Sequence, residues 1–481
     1  MTALSSSITL SLISHTNIGK TTLARTLLRR DVGQVLDQAH VTLQNEHFVL
    51  LKTSDGSRLN LWDTPGFGNS HKLLGRLQGL TNPIGWMVSQ VWDRIADKPF
   101  WCSQQAIRNV RDEADVVLYL VNATEDPSMA GYLQPELDLL TWLDKPVIVL
   151  VNQTGLIDPQ QQRKLESLWK QHWVQQRVIK DVMSLDAFTR CWVQEGVLWD
   201  HVTQALPPNK HHTMEQLGKA WYATHRQIFD TSMTHLAQLL TETALDGELL
   251  PQNPTGFSKK PQIKNAIQAL DYRLAQRISA MTAHLIELHG LTGDVAHTLK
   301  SRIEDVTVPG ERKPWEEETF WGALASGAAA GLASDLASGG LSHGAFTIGG
   351  AILGALAERT YAKSQETGEP NRISWIPAFL DRQTRDALLR YLAVTHCGRG
   401  RGDYTDPREF PLFWQRAAEQ VIKEREDDLH QTWILAQSPR LPTKAMDQAK
   451  ANLVRLLSIM AQEILGQFYP EAKGWLEQPT R

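Results

Sequence analysis

Apolar and polar positions follow two different rhythms along this chain. Up to about residue 205, short apolar-rich runs, "ITLSLIS", "HFVLLK", "RLNLWD", "ADVVLYLVNA", "KPVIVLVNQTG" and "RVIKDVMSL", read as strands. The fourth and fifth are almost unbroken, as a parallel sheet covered on both faces requires. The second and third are joined by Asp55-Gly56, a strong hairpin signal. Helical patterns run through Leu23, Leu27 and Leu28, through Leu133 to Leu143, and through "CWVQEGVLWDHV". The pattern predicts an α/β domain over residues 1–205, a mostly parallel sheet with helices on both faces.

After "LPPNKHH" apolar residues recur at three- and four-residue spacing. Met214 to Leu245 and Pro261 to Leu291 predict two long helices, broken by "GELLPQNPTGFSKKP" and packed as an antiparallel pair. Further helices are expected over 381–393, 414–435 and 445–468, so residues 206–481 read as a mainly helical domain. Within it the stretch 320–357, "FWGALASGAAAGLASDLASGGLSHGAFTIGGAILGALA", carries Asp335 as its only formal charge. Glycines four apart (Gly327/Gly331, Gly340/Gly344, Gly350/Gly354) let helix backbones approach closely, which predicts a glycine-rich helical hairpin. Each arm of roughly 17 residues spans about 25 Å, short of a hydrocarbon core of about 30 Å. Two readings stay open: a buried or self-associating hairpin, and reversible insertion into a membrane with Trp315 and Tyr361 at the interface.

Composition narrows the partners. A chain of 481 residues with 21% charged residues and a net charge of −4 has no global basic field, so nucleic acid is not indicated. Three cysteines, Cys102, Cys191 and Cys397, are too few and too distant for a disulfide framework. With no secretory signal in "MTALSSS", the expectation is a cytoplasmic protein, peripheral at the inner membrane if 320–357 engages lipid or a membrane protein. The sixteen tryptophans read as helix core.

The chemistry concentrates at "ISHTNIGKTTL". A strand feeding a helix through Gly19-Lys20-Thr21 aims main-chain N–H groups at an anion on the helix N-terminus. Lys20 would reach the β and γ phosphates and the Thr21 hydroxyl would ligate Mg²⁺. Ser14 stands where G-x-x-x-x-G-K-[ST] has its first glycine, which weakens the match without vetoing it. Asn17, Ile18, Gly19, Lys20, Thr21 and Thr22 form the candidate phosphate contact. "WDTPGF" then supplies D-x-x-G, with Asp63 on Mg²⁺ through water and the Gly66 N–H on the γ phosphate.

In this order and spacing, "HTNIGKTT", "HVT", "DTPG" and "ADVVLYLVNATEDP…LDKPVIVLVN" resemble an Era-like GTPase of the translation-factor-related class, over roughly residues 7–205. The resemblance implies GTP or GDP as ligand, Mg²⁺ as cofactor and Thr42 as the switch threonine. Lys20, Thr42 and Gly66 would then serve the reaction, and Thr21, Thr42 and Asp63 the metal. It also implies that Asn17 is the residue that places K⁺ in cation-dependent members; an asparagine that merely stabilises the loop is the alternative. With the glycine-rich stretch and "SLDAFTRCW", nearly the whole chain resembles a bacterial GTPase-like family whose C-terminal part is a domain of unknown function.

Three departures limit the transfer. The guanine motif N-K-x-D reads Asn152-Gln153-Thr154-Gly155, so its carboxylate is missing; Asp158 lies three residues on. Phe67 follows D-T-P-G where signalling GTPases orient water with glutamine. The base-backing loop is a loose match at Ser184-Leu185-Asp186-Ala187, with Ser184 and Ala187 as the candidates. An insert over about 67–113 brings Trp86, Trp92 and Trp101, suited to a partner, to a second copy docking at the switch region, or to a packed subdomain. "HCGRGRGDY" places Arg399 and Arg401 among glycines, as a tight loop or a phosphate or lipid head-group contact. The expected function is Mg²⁺-dependent GTP binding with slow hydrolysis that switches the helical domain. A non-hydrolysing nucleotide-binding scaffold and a nucleotide-gated membrane-inserting effector are the alternatives.

Overall fold

The apolar runs assemble into one sheet whose central strands are buried along their length. The computed structural model describes residues 6–29, 45–68, 70–78, 98–249, 256–291, 372–398, 410–437 and 443–477. Thr42, Trp86, Trp92, Arg399, Arg401 and the glycine-rich stretch 320–357 lie outside the described residues. Strands β1 (Ser7–Ser14), β2 (Glu46–Lys52), β3 (Arg58–Asp63), β4 (Val116–Asn122), β5 (Val147–Asn152) and β6 (Ile179–Ser184) lie in the order β2-β3-β1-β4-β5-β6. Neighbours are parallel except β2 and β3, which pair antiparallel around a turn where Gly56 takes φ 90°. β1 lies beside β4, and the connection leaving β1 runs toward β2 and β3 while that leaving β4 runs toward β5, so the two depart to opposite sides and open a crevice at the carboxyl ends of the strands.

Helices α1 (Lys20–Leu28), α2 (Ser70–Gln78), α3 (Lys98–Glu113), α4 (Leu133–Leu143), α5 (Pro159–Trp173) and α6 (Trp192–Ala205) flank the sheet. Phe100, Ala106, Ile107 and Val110 of α3 are buried in one core with Val117 and Val149. The expected insert over 67–113 is therefore narrower than its sequence span, because residues 98–113 form a core helix of the domain. Trp101 lies on that helix, half-buried.

The chain packs as two compact units. The first joins Met1–Ile228 to Thr395–Thr405 and Leu465–Arg481, and the second joins Phe229–Val394 to Asp406–Ile464. The division falls inside α7 (Pro208–Leu245), not at the expected 205/206 boundary. The reason is aromatic packing in the first unit: Trp221 lies near Trp192, Trp199 and Trp475 at centroid distances of 6.2, 6.3 and 5.7 Å. Trp475 sits on α13 (Lys473–Leu476), and its indole donates to Asp200 Oδ2 at 2.6 Å.

In the second unit α7 and α8 (Gly256–Leu288) run antiparallel, as expected. Ser232 meets His289 at 3.2 Å, His235 stacks on His284 at 5.5 Å, and Asp246 pairs with Arg273 at 2.8 Å. Helices α9 (Pro377–Thr395), α10 (Leu412–Lys423), α11 (Glu426–Ala436) and α12 (Thr443–Phe468) complete the helical part. A short antiparallel pair, β7 (Gly247–Leu249) with β8 (Arg372–Ser374), joins them. Among the described residues no helix is long and apolar enough to cross a membrane.

The indole of Trp475 lies so close to Gly196 that a Cβ there would come within 2.9 Å of the ring. Replacing Trp475 by Ala should lower unfolding free energy by about 3 kcal/mol, and Gly196→Ala by about 1–3 kcal/mol through overpacking. Urea denaturation of each full-length variant measures both losses.

Candidate nucleotide site

The loop from Ser14 to Gly19 leaves β1 and enters α1 at Lys20. Asn17 and Gly19 take φ 64° and 100°. Alternating left-handed positions turn successive main-chain N–H groups toward one concave side, where an anion is favoured. Gly19 has a second constraint, because a Cβ would come within 2.7 Å of Asn152 Nδ2. Ile18 is buried behind the loop and Thr22 in the first turn of α1.

Two opposite charges are buried beneath this loop. Lys20 is 7% exposed, and its ammonium donates to Ser14 Oγ at 2.9 Å. The serine at the first glycine position thus supplies an acceptor for the lysine. Burial pushes the Lys20 ammonium below its usual range, opposed by the charges of Asp63 and Glu136. Asp63 closes β3 and is fully buried. Its Oδ2 accepts the Thr21 hydroxyl at 2.6 Å, and its Oδ1 has no hydrogen-bond partner. Burial pushes the Asp63 carboxyl up to about 6, although the Thr21 bond and Lys20 pull it down. A buried carboxylate oxygen without a donor, beside a threonine hydroxyl, is a donor set that suits a hard divalent cation. The residues present fit Mg²⁺, which Thr21 and Asp63 would hold.

The segment after β3 is fastened to the loop. Thr64 Oγ1 donates to Leu12 O at 2.6 Å and Phe67 N to Ser14 O at 2.9 Å. A Cβ on Gly66 would meet Thr16 Cα at 3.0 Å and Lys20 Nζ at 3.1 Å, a tight approach that a larger residue could make only if the loop gave way. Phe67 turns its ring into the domain core with Ile13, Leu73 and Phe100. It presents no polar group to a water molecule.

On the base side Asn152, fully buried, joins two loops. Its Nδ2 donates to Ile18 O at 2.7 Å and its Oδ1 accepts Ala187 N at 2.8 Å. Gln153 and Gly155 take φ 61° and 65°, and a Cβ on Gly155 would meet open space. Asp158 is committed elsewhere: it caps α5, accepting Gln160 N at 2.8 Å and Gln161 N at 3.0 Å. Ser184 is held by Glu166, which accepts its N–H at 2.8 Å, and makes no bond to Asn152 or the phosphate loop.

The structure thus gathers Asn17 to Thr21, Asp63, Gly66, Asn152 and Ala187, and Ser184 ends β6 in register with Val151, next to Asn152, its hydroxyl buried without a hydrogen-bond partner. Sequence reasoning passed over Asp186, whose carboxylate accepts Gly155 N at 2.8 Å and Phe188 N at 2.7 Å. It links the two loops that surround the base position. His15 and Glu136, bonded at 2.7 Å, were passed over too. The available signal was a glutamate on the apolar face of "LQPELDLL", between Leu133 and Leu137.

Because Asp63 binds its proton more tightly in the folded chain than its ordinary 3.8, its charge costs stability once pH rises from about 4 through about 6. At pH 7 Asp63→Asn should therefore stabilise the nucleotide-free protein, by on the order of 1 kcal/mol, while abolishing Mg²⁺-dependent nucleotide binding. Thermal melts with and without Mg²⁺ and GTP read both effects; a loss of stability without nucleotide would contradict the assignment.

Residues 9–153 match the family model described as 50S ribosome-binding GTPase, and residues 173–455 match the domain of unknown function DUF3482. No curated protein matches. Similar solved structures include an Aquifex aeolicus Era variant bound to GDP and AlF4⁻, with 18% identity and a TM-score of 0.32 over 42% of this chain and 57% of that one. Era in complex with MgGDPNP and part of 16S ribosomal RNA gives 18% identity and a TM-score of 0.32 over 42% and 58%. A probable GTP-binding protein EngB gives 15% and 0.24 over 37% and 88%. The chain thus spans under two thirds of the two Era chains. Since the second family model covers more than half of its 481 residues, the chain belongs to the DUF3482 family, and it carries a P-loop GTPase domain ahead of that region.

Proposed function

We propose that this protein binds GTP with Mg²⁺, hydrolyses it slowly, and uses the nucleotide state to switch its helical part. One observation carries the reading: Lys20 and Asp63, both buried, converge on a strand-to-helix turn where Asp63 keeps one oxygen without a donor. Buried charges of this kind are costly unless a ligand completes them. When bound, Mg²⁺ would neutralise phosphate charge. Lys20 would hold the β and γ phosphates, Gly66 would offer its N–H to the γ phosphate, and Thr21 would supply its hydroxyl to the cation. Thr42 would close on the same phosphate.

Slow hydrolysis follows from Phe67, whose ring lies in the core. Asn17, at its left-handed position, is the residue through which K⁺ would raise the rate. Guanine is the base this domain family supports, with Asn152 and Ala187 framing its position. Discrimination against adenine should be weak, because Gly155 brings no carboxylate to that position.

Titration of full-length protein with a fluorescent GTP analogue tests the reading. Lys20→Ala should weaken binding at least 100-fold, about 2.7 kcal/mol. Unlabelled GTP should displace the analogue better than ATP, by less than the roughly 10⁴-fold that a site built on hydrogen bonding to its substrate can reach. Unchanged affinity in the Lys20 variant, or preference for ATP, would refute the proposal.

A further inference from the structure

The turn between β6 and α6 is held by a short segment that belongs to none of the nucleotide motifs. Thr395, which ends α9, and residues 396–398 after it lie in the first unit, as the turn does. They meet the turn at two points: Gly398 N donates to Phe188 O at 2.8 Å, and Thr395 Oγ1 lies 3.9 Å from Cys191 Sγ at the start of α6. Between these points His396 is buried, with its Nε2 2.9 Å from the Tyr469 hydroxyl. The segment is therefore anchored on its own account and does not simply follow the turn.

Gly398 leaves no room between the two. A Cβ there would come within 2.8 Å of the carbonyl carbons of Ala187 and Phe188, and closer still to Ala187 O. All three are main-chain atoms, so a side chain at 398 would have to displace the turn itself.

Such a displacement would reach the groups around the base. Ala187 gives its N–H to Asn152 Oδ1 at 2.8 Å, and Asn152 Nδ2 donates in turn to Ile18 O of the phosphate loop at 2.7 Å. Asp186 accepts Phe188 N at 2.7 Å and Gly155 N at 2.8 Å, which ties the turn to the position where N-K-x-D has its carboxylate. Because Gly155 brings no carboxylate, whatever preference for guanine the site has falls to the groups of this turn and of residues 153–155. Such groups discriminate only when held within about 0.5 Å of their productive place.

We infer that Gly398 is a positioning residue for base selection: by bonding Phe188 and leaving the space beside Ala187 clear, it sets where the 185–188 turn stands against the base of a bound purine nucleotide. The assignment rests on the GTP-binding reading above. It places part of the choice of base in a residue far from every nucleotide motif of the sequence.

Calorimetric titration of full-length wild type, Gly398→Ala and Gly474→Ala with GTP and with ATP, each in Mg²⁺, tests the role. A Cβ on Gly474 would meet nothing within 4 Å, so that variant is the control and should keep the wild-type affinities. Gly398→Ala should bind GTP about tenfold more weakly, while ATP, held chiefly by its phosphates, should change by less than about threefold. The ratio of GTP to ATP affinity therefore falls. A glycine that served stability alone would lower both affinities alike or neither, so an unchanged ratio in folded Gly398→Ala would overturn the proposal. Tyr469→Phe keeps the ring and removes the hydroxyl bonded to His396, and should lower the same ratio by about threefold. If Gly398→Ala does not fold, this variant decides, and a wild-type ratio in it would overturn the role. Wild-type protein that binds GTP and ATP equally would refute base selection by the turn and leave GTP binding standing, whereas wild-type protein that binds no GTP would refute the earlier reading itself.

Discussion

A lysine and an aspartate share a buried site under a single loop, and much of the first unit can be understood as what holds them there. Lys20 and Asp63 each lose solvation that their mutual attraction only partly restores, as the upward displacement of the Asp63 carboxyl to about 6 shows. A fold built for stability alone would replace such a pair with apolar side chains. Its retention, with Asp63 Oδ1 left without a donor, is the mark of a site that a cation and an anion complete.

Other features brace that site from successive distances. Asn152 ties the phosphate loop to the loop after β6, and Asp186 ties that loop back to Gly155. Gly398 then packs against the same loop: its N–H donates to Phe188 O at 2.8 Å, and its backbone approaches Ala187 too closely for any Cβ. Thr26 Oγ1 donates to Ala187 O at 2.7 Å, and Arg190, which pairs with the buried Glu195, donates to Thr26 O at 2.8 Å. Gly398, more than 370 positions from Lys20, thus packs on a loop that surrounds a site formed near the chain's beginning.

What could be read from sequence was whatever local pattern determines. The strands, the Asp55-Gly56 turn, the Gly19-Lys20-Thr21 corner and the pairing of α7 with α8 follow from periodicity and turn chemistry within short windows. The role of Ser14 as acceptor for Lys20, the commitment of Asp158 to a helix cap and the turning of Phe67 into the core depend on partners that the fold supplies. His15 and Glu136 are 121 positions apart, and no spacing rule joins them. The division inside α7 was hidden for a similar reason, since Trp221 finds Trp475 only when the chain's last helix returns to the first unit.

Isothermal titration calorimetry of the full-length protein with GTP, in Mg²⁺ and in excess EDTA, tests the completion of the Lys20–Asp63 site most directly. The account predicts one nucleotide per chain and an affinity that falls at least tenfold, about 1.4 kcal/mol, when Mg²⁺ is removed. The absence of binding, or equal affinity with and without Mg²⁺, would contradict it.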